Sequence, residues 1–159
     1  MLANVKAFLD MVAISEIGRP LLAVSDNGYN VIVGSTAAQP HLFTSYADHP
    51  RIAVNLGHGL VSTAAGRYQI LERYFDAYRD QLQLPDFSPP SQDRIAQQMI
   101  MERGAMLALA AGDFMTAVAR CRNIWASLPG AGYGQHENSL TDLRQAYLQA
   151  GGSLRGALA

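Results

Sequence analysis

The sequence has 159 residues, 49% of them hydrophobic and 16% charged, enough to bury one sizeable core. No apolar run approaches the roughly 18 residues that a spanning helix needs, which excludes membrane insertion. The 12 basic and 13 acidic residues nearly cancel and are mixed along the chain, so the clustered basic face of a nucleic-acid binder is excluded too.

All the cations but Lys6 are arginines, a bias that suits hydrogen-bonded structural cations rather than a diffuse phosphate-binding surface. Cys121 stands alone, which rules out an intramolecular disulfide and a cysteine-based metal cluster and leaves a buried structural thiol as its reading. The N-terminal stretch is interrupted by Asp10 and Glu16 and reads at helical period, so no cleaved signal is expected.

In chain order, Val5, Phe8, Leu9, Val12 and Ala13 recur at helical spacing and predict a first helix over 4–15, ending near Glu16. Gly18 and Pro20 stop it. Asn27-Gly28 is a turn signal, followed by a β-branched run at 29–33 and a second candidate strand at 41–46. Past Arg51 the chain reads as irregular, with Gly57-His58-Gly59 in a loop. Helix returns over 66–82, with Tyr68, Leu71, Phe75 and Tyr78 on one face. Ser88-Pro89 opens a long helical pattern to 111 with a break at Gly104. Asp113 caps a helix to 122, and Ser139 caps a last one that ends at Gly151-Gly152. Between them, 128–134 is a glycine-rich loop. The expectation is a single α+β domain over 1–159, mostly helical with a small sheet.

The residues alone leave the chemistry open. Glu16 sits where the first helix gives way to a loop, on the flank of an apolar face. Partial desolvation there would raise its pKa and suit general acid work, while position alone favours an ordinary exposed helix-end glutamate. A hydrolytic glycosidase needs a second carboxylate, for which Asp26 and Asp48 are available, although both read more simply as turn residues. His41, His49, His58 and His136 lack the spacing of a metal site, so no metal is expected. The G-x-G-x-G at 130–134 does not follow a strand of a βαβ unit, so no dinucleotide site is expected. Ser15, Ser62 and Ser127 lack a nucleophile-elbow context. Tyr29, Tyr46, Tyr68 and Tyr133 lie in or beside loops and offer a stacking face plus a hydroxyl, although each taken singly reads as structural.

Ordered blocks along nearly the whole chain extend this reading. They include Ser15-Glu16, Gly28-Tyr29, Asp48-His49-Pro50-Arg51, Gly66-Arg67-Tyr68-Gln69 and Asp86-Phe87-Ser88-Pro89. The longest runs from Asn123-Ile124-Trp125-Ala126-Ser127 through Leu128-Pro129-Gly130-Ala131-Gly132 to Tyr133-Gly134-Gln135. In these blocks the chain resembles the phage lambda-type endolysin family, the lambda-type lytic transglycosylases. The resemblance implies a lysozyme-like fold whose β-lobe flanks an active-site cleft. It also implies cleavage of the MurNAc-β-1,4-GlcNAc bond of peptidoglycan without water, leaving 1,6-anhydro-MurNAc ends.

By the same resemblance Glu16 is the catalytic acid and base. Gln69 and Tyr68 belong to a sugar-contacting block, and Tyr46 and Tyr133 belong to opposing lips of the saccharide groove. Trp125, in an apolar helical segment, reads as core. No cofactor is implied, and the partners expected are peptidoglycan glycan strands, with the protein a monomer. The implied setting is the host cytoplasm followed by holin-dependent release to the cell wall. Two rivals stay open: a water-using muramidase, and a non-catalytic glycan-binding or virion structural module. The sequence departs from the family at Ile17, Asn30, Ser35 and Ala64, and 36–40 reads as an insertion. These positions bear on the cleft lips and leave Glu16 in place.

Overall fold

The computed structural model describes residues 2–132, 134 and 137–156. Among these lie seven helices and one two-stranded antiparallel sheet. The helices are α1 (Ala3–Ile17), α2 (Arg19–Ala23), α3 (Glu72–Leu82), α4 (Pro89–Glu102), α5 (Met106–Ala110), α6 (Phe114–Cys121) and α7 (Leu140–Gln149). The strands are β1 (Val54–Asn55) and β2 (Val61–Ser62). The chain divides into two compact units, one of Met1–Glu16 with Ala96–Ala159, the other of Ile17–Ile95. Both boundaries fall inside helices, α1 and α4.

In the first unit α1 is buried at Val5, Ala7, Phe8, Leu9, Met11, Val12 and Ala13, more of its surface than the predicted stripe. Its open strip carries Lys6 and Asp10, one turn apart and paired at 2.8 Å. Phe8 meets the edge of Phe114 at 6.5 Å, and Phe114 lies 5.0 Å from Tyr147, so one aromatic row joins α1, α6 and α7. Asn4 closes the row's end. Its amide donates to Leu109 O at 2.8 Å and its carbonyl accepts from Ser153 N at 2.8 Å.

The predicted caps of this unit are present. Asp113 accepts from Thr116 N at 3.1 Å, and Ser139 accepts from Asp142 N at 3.1 Å, each satisfying an amide that the helix cannot. The break falls at Gly104 as expected, with φ 66°, between α4 and α5. Cys121 is buried, and burial pushes its thiol up to about 12.

The second unit departs further from expectation. Pro20 does not end helical structure; α2 starts at Arg19 with the proline in its first turn, where the missing N–H is no loss. The predicted strands at 29–33 and 41–46 shrink to isolated bridges, Val31 with Leu42 and Ile32 with Ala65. Turns through 25–31 use up the backbone groups that a longer ladder would need: Tyr29 N donates to Asp26 O and Val31 N to Gly28 O. The sheet instead forms in the stretch read as irregular. Val54 pairs with Ser62 and Asn55 with Val61, and Gly57, His58 and Gly59 reverse the chain, all at positive φ. Helix α3 begins at Glu72 rather than 66, because Gly66 O, Gln69 N and Ile70 N and O are bonded in a tight turn with Ala65, and Gly66 N donates to Val31 O.

A buried amide organises this unit. Gln92 donates to Tyr29 O at 3.0 Å and Phe87 O at 2.9 Å, and accepts from Arg67 N at 2.9 Å. The ring of Phe87, whose carbonyl the amide bonds, packs against Phe43, Phe75 and His49. The buried imidazole donates from Nε2 to Ile70 O at 3.0 Å and accepts the Arg51 N–H at Nδ1, which fixes the neutral tautomer. Burial accordingly holds the pKa of His49 below its ordinary value.

Gly66 is required twice over: its φ is 78°, and a Cβ there would lie 2.2 Å from Gln92 Oε1. Gly66→Ala is therefore expected to lower unfolding stability by about 2–4 kcal/mol. Gly57→Ala, with φ 87° but open space around it, should cost only about 1 kcal/mol. Urea midpoints compare the two; equal losses would mean that the Gln92 amide moves aside freely.

Candidate active site

The expected catalytic residue ends a helix buried along most of its length. Glu16 lies in the last turn of α1, half-buried, and is met by a turn from far along the chain. Ser127 donates its hydroxyl to Glu16 Oε1 at 2.5 Å, and its backbone N–H reaches the same oxygen at 3.4 Å. The turn is held by its own anchors: Trp125 is 3% exposed, Leu128 is fully buried, and Leu128 N donates to Trp125 O at 3.1 Å. With both anchors buried, Ser127 between them presents its hydroxyl to the helix end. Trp125 is core, as its apolar setting predicted.

Burial is the main influence on Glu16 and raises its pKa above the usual carboxylate value; the two Ser127 donors oppose it and are outweighed. The negative end of the helix dipole acts in the same direction as burial. The group is thus a carboxyl that keeps its proton to higher pH, supported by neutral donors rather than by a cation.

The two other carboxylates considered as catalytic partners have different surroundings. Asp26 is exposed and accepts the Tyr46 hydroxyl at 2.6 Å. Asp48 is bridged by Arg51 at 2.7 Å, within a network in which Arg51 also reaches Glu72 at 3.0 Å and Asp76 at 2.6 Å. The Arg51 guanidinium holds Asp48 below the ordinary carboxylate range, so this group is ionised at neutral pH.

The expected sugar-contacting residues of the second unit fall into three arrangements. Tyr46 is half-buried, edge-on to Phe43 at 5.4 Å, with its hydroxyl on Asp26. Tyr68 is only 2% exposed, so its ring has no open face; its hydroxyl donates to Asp93 at 2.6 Å. Tyr29 donates to the same Asp93 oxygen at 2.9 Å and lies edge-on to Tyr68. Burial, with Asp93 next in weight, pushes the Tyr29 phenol up to about 12. Gln69 is half-buried at φ 48°, and its Nε2 donates to Gly66 O at 2.9 Å, leaving its carbonyl oxygen as the acceptor it can offer. Tyr133 lies outside the described residues. Among those residues no group of three or more His, Cys, Asp or Glu could hold a metal ion. Nor is any helix among them long and apolar enough to cross a membrane.

Comparison with known proteins places the chain in a family. The sequence pattern of the Endolysin family matches residues 6–154. The chain belongs to that family. It is 54% identical to the endolysin of Escherichia phage lambda over 153 residues, covering 94% of this chain and 92% of the relative. It is 51% identical to the endolysin of Escherichia phage P2 over 156 residues, covering 94% and 93%. Its fold is that of a solved bacteriophage lambda lysozyme in complex with a chitohexasaccharide, with TM-score 0.89, 51% identity and 98% of both chains covered. A second structure of lysozyme from bacteriophage lambda matches with TM-score 0.82 at 50% identity. The α+β, lysozyme-like fold class expected from sequence is therefore the fold of this endolysin-family chain.

Sequence reasoning missed the partners of Glu16. Ser127 was weighed only as a nucleophile, and Asn138 not at all, since nothing local connects residues 111 or more positions apart. The one usable signal was the Trp125 and Leu128 spacing, which turns Ser127 away from the core anchors.

The raised pKa has a signed consequence for stability. The folded chain holds the Glu16 proton more tightly than the unfolded chain, so the stabilisation is complete below the ordinary glutamate value and is lost as pH rises through the folded value. Glu16→Gln should match the wild type near pH 4 and melt higher at pH 8, by about 3 °C. A melting difference that does not change with pH would show that Glu16 is not desolvated.

Proposed function

We propose that this protein degrades peptidoglycan as a lytic transglycosylase, cutting the β-1,4 bond between MurNAc and GlcNAc without water. Residues 1–159 act as a single catalytic domain, and Glu16 is the sole catalytic carboxyl. The observation that carries this reading is the contrast between carboxyls. Glu16 retains its proton through burial and neutral donors, whereas Asp48 is held ionised by Arg51 and Asp26 is exposed and bonded to Tyr46. A carboxyl that keeps its proton beside neutral donors, with Asp26 and Asp48 each committed to another side chain, suits a reaction in which the substrate supplies its own nucleophile.

The steps follow from that supply. Glu16 in its acid form gives its proton to the glycosidic oxygen as the C1–O bond breaks. The resulting carboxylate then takes the proton of the muramic C6 hydroxyl while O6 bonds to C1, closing the 1,6-anhydro ring and regenerating the acid. Water is neither consumed nor needed. The related lysozyme solved with a chitohexasaccharide supports an extended glycan as the ligand class.

Gln69, with its amide nitrogen committed to Gly66, is suited to accept an acetamido N–H through its carbonyl oxygen. Tyr46 and Tyr133 are proposed as sugar contacts. Tyr68, being buried, contributes by holding Asp93 and the turn that carries Gln69.

Mass spectrometry of soluble products from purified peptidoglycan tests the reading. Anhydro-muramic ends are expected from the wild type, with a loss of rate of at least about 100-fold in Glu16→Gln. Reducing ends instead would mean hydrolysis and would restore Asp26 or Asp48 as a candidate second carboxylate. Binding without products would favour a glycan-binding module.

A further inference from the structure

Both hydrogen bonds that Glu16 accepts among the described residues fall on one oxygen, Oε1. The Ser127 hydroxyl has a single proton, and at 2.5 Å from a carboxylate oxygen that proton is spent on Glu16. The 2.7 Å contact between the Ser15 and Ser127 hydroxyls is then donated by Ser15, whose other acceptor, Ser127 O, is longer at 3.4 Å. Ser15 Oγ in turn accepts from Asn138 Nδ2 at 3.0 Å.

The Asn138 amide cannot be turned over. Its Nδ2 also faces Ser15 O at 3.1 Å and Ser127 O at 3.5 Å, and carbonyl oxygens only accept. Its own backbone N–H donates to Ser127 O at 2.9 Å, which holds the residue against the turn. With the Glu16 proton on Oε2 and each donor taking its shorter contact, the chain runs from the Asn138 amide through Ser15 and Ser127 to Glu16. Glu137, beside Asn138, is turned elsewhere and accepts from Gly130 N and Gly132 N.

We infer that Ser127, Ser15 and Asn138 are positioning residues that reserve Oε1 of Glu16 as a permanent acceptor and leave Oε2 to release and recover the proton. This rests on the proposed role of Glu16 as acid and base. A one-way chain of neutral donors can serve both charge states, because Oε1 accepts whether or not Oε2 carries a proton. The bond strengthens when the carboxylate forms, and each link polarises the next. The carboxyl plane thus stays fixed between the two proton transfers, and no reorientation is needed in the middle of the reaction.

The test is a carbon-13 NMR titration of the Glu16 carboxyl, assigned with Glu16→Gln, run beside pH profiles of kcat and KM on peptidoglycan. In Ser127→Ala the carboxyl midpoint is expected to move to higher pH. Its kcat should fall roughly tenfold with KM little changed. Ser127→Thr, which keeps the hydroxyl, should restore both. Ser15→Ala should shift the midpoint in the same direction by less, and only while Ser127 is present. An unmoved midpoint in Ser127→Ala, or a Ser15→Ala effect independent of Ser127, would overturn the relay. The titration reads the relay and product formation reads the reaction. A responsive carboxyl in a wild type that makes no anhydro ends would therefore sink the reaction alone.

Discussion

Burial of α1 is the constraint on which the candidate chemistry depends. Five large side chains between Val5 and Val12 are withdrawn from water, each contributing about 1.5–3 kcal/mol, or at most roughly 15 kcal/mol together. Half-burying one carboxyl and ordering a few hydroxyls around it costs about 1–3 kcal/mol, so the helix can carry Glu16 into a desolvated position at its end. A shorter or more exposed α1 would leave the same residue solvated, with an ordinary pKa and no reason to retain a proton. The chain also supplies neutral donors at that position, so the carboxyl is supported without being forced to ionise.

The second unit solves a different problem, since outside its helices it has little sheet pairing to hold it. Two residue pairs in the β1–β2 hairpin and a few isolated bridges are a small share of what a sheet provides. Side chains take over the task. The Gln92 amide satisfies two carbonyls and one N–H of three separate segments, and His49 bonds Ile70 and Arg51 in the same way. Such buried polar nodes specify one arrangement, because any shift leaves several groups unsatisfied at once. The tight approach of Gly66 to Gln92 is one result, and it also sets the turn that carries Tyr68 and Gln69.

The acidic residues divide according to the partners they meet. Asp48 and Asp76 lie on the surface beside Arg51, where pairing keeps them charged but contributes little to stability because solvent screens it. Asp93 collects two phenol hydroxyls and organises Tyr29 and Tyr68. Glu16 is bonded to serine and set against apolar packing. Equivalent side chains are thereby assigned to charge pairing, scaffolding and proton storage by their surroundings.

Local rules were enough for the helix caps and breaks: Asp113, Ser139 and Gly104 act where they were expected, because capping depends on neighbours within a few residues. The apolar period of α1, the position of Glu16 at its end and the core role of Trp125 were legible for the same reason. The strands were misread because β-propensity at 29–33 says nothing about whether a partner is free to pair, and the adjoining turns had already used those groups. Two things were decided only by the tertiary structure: which hydroxyl meets Glu16, and the burial that raises its pKa above the ordinary carboxylate value. Both depend on contacts between residues more than a hundred positions apart, and desolvation is a property of everything that surrounds a group rather than of the chain on either side of it.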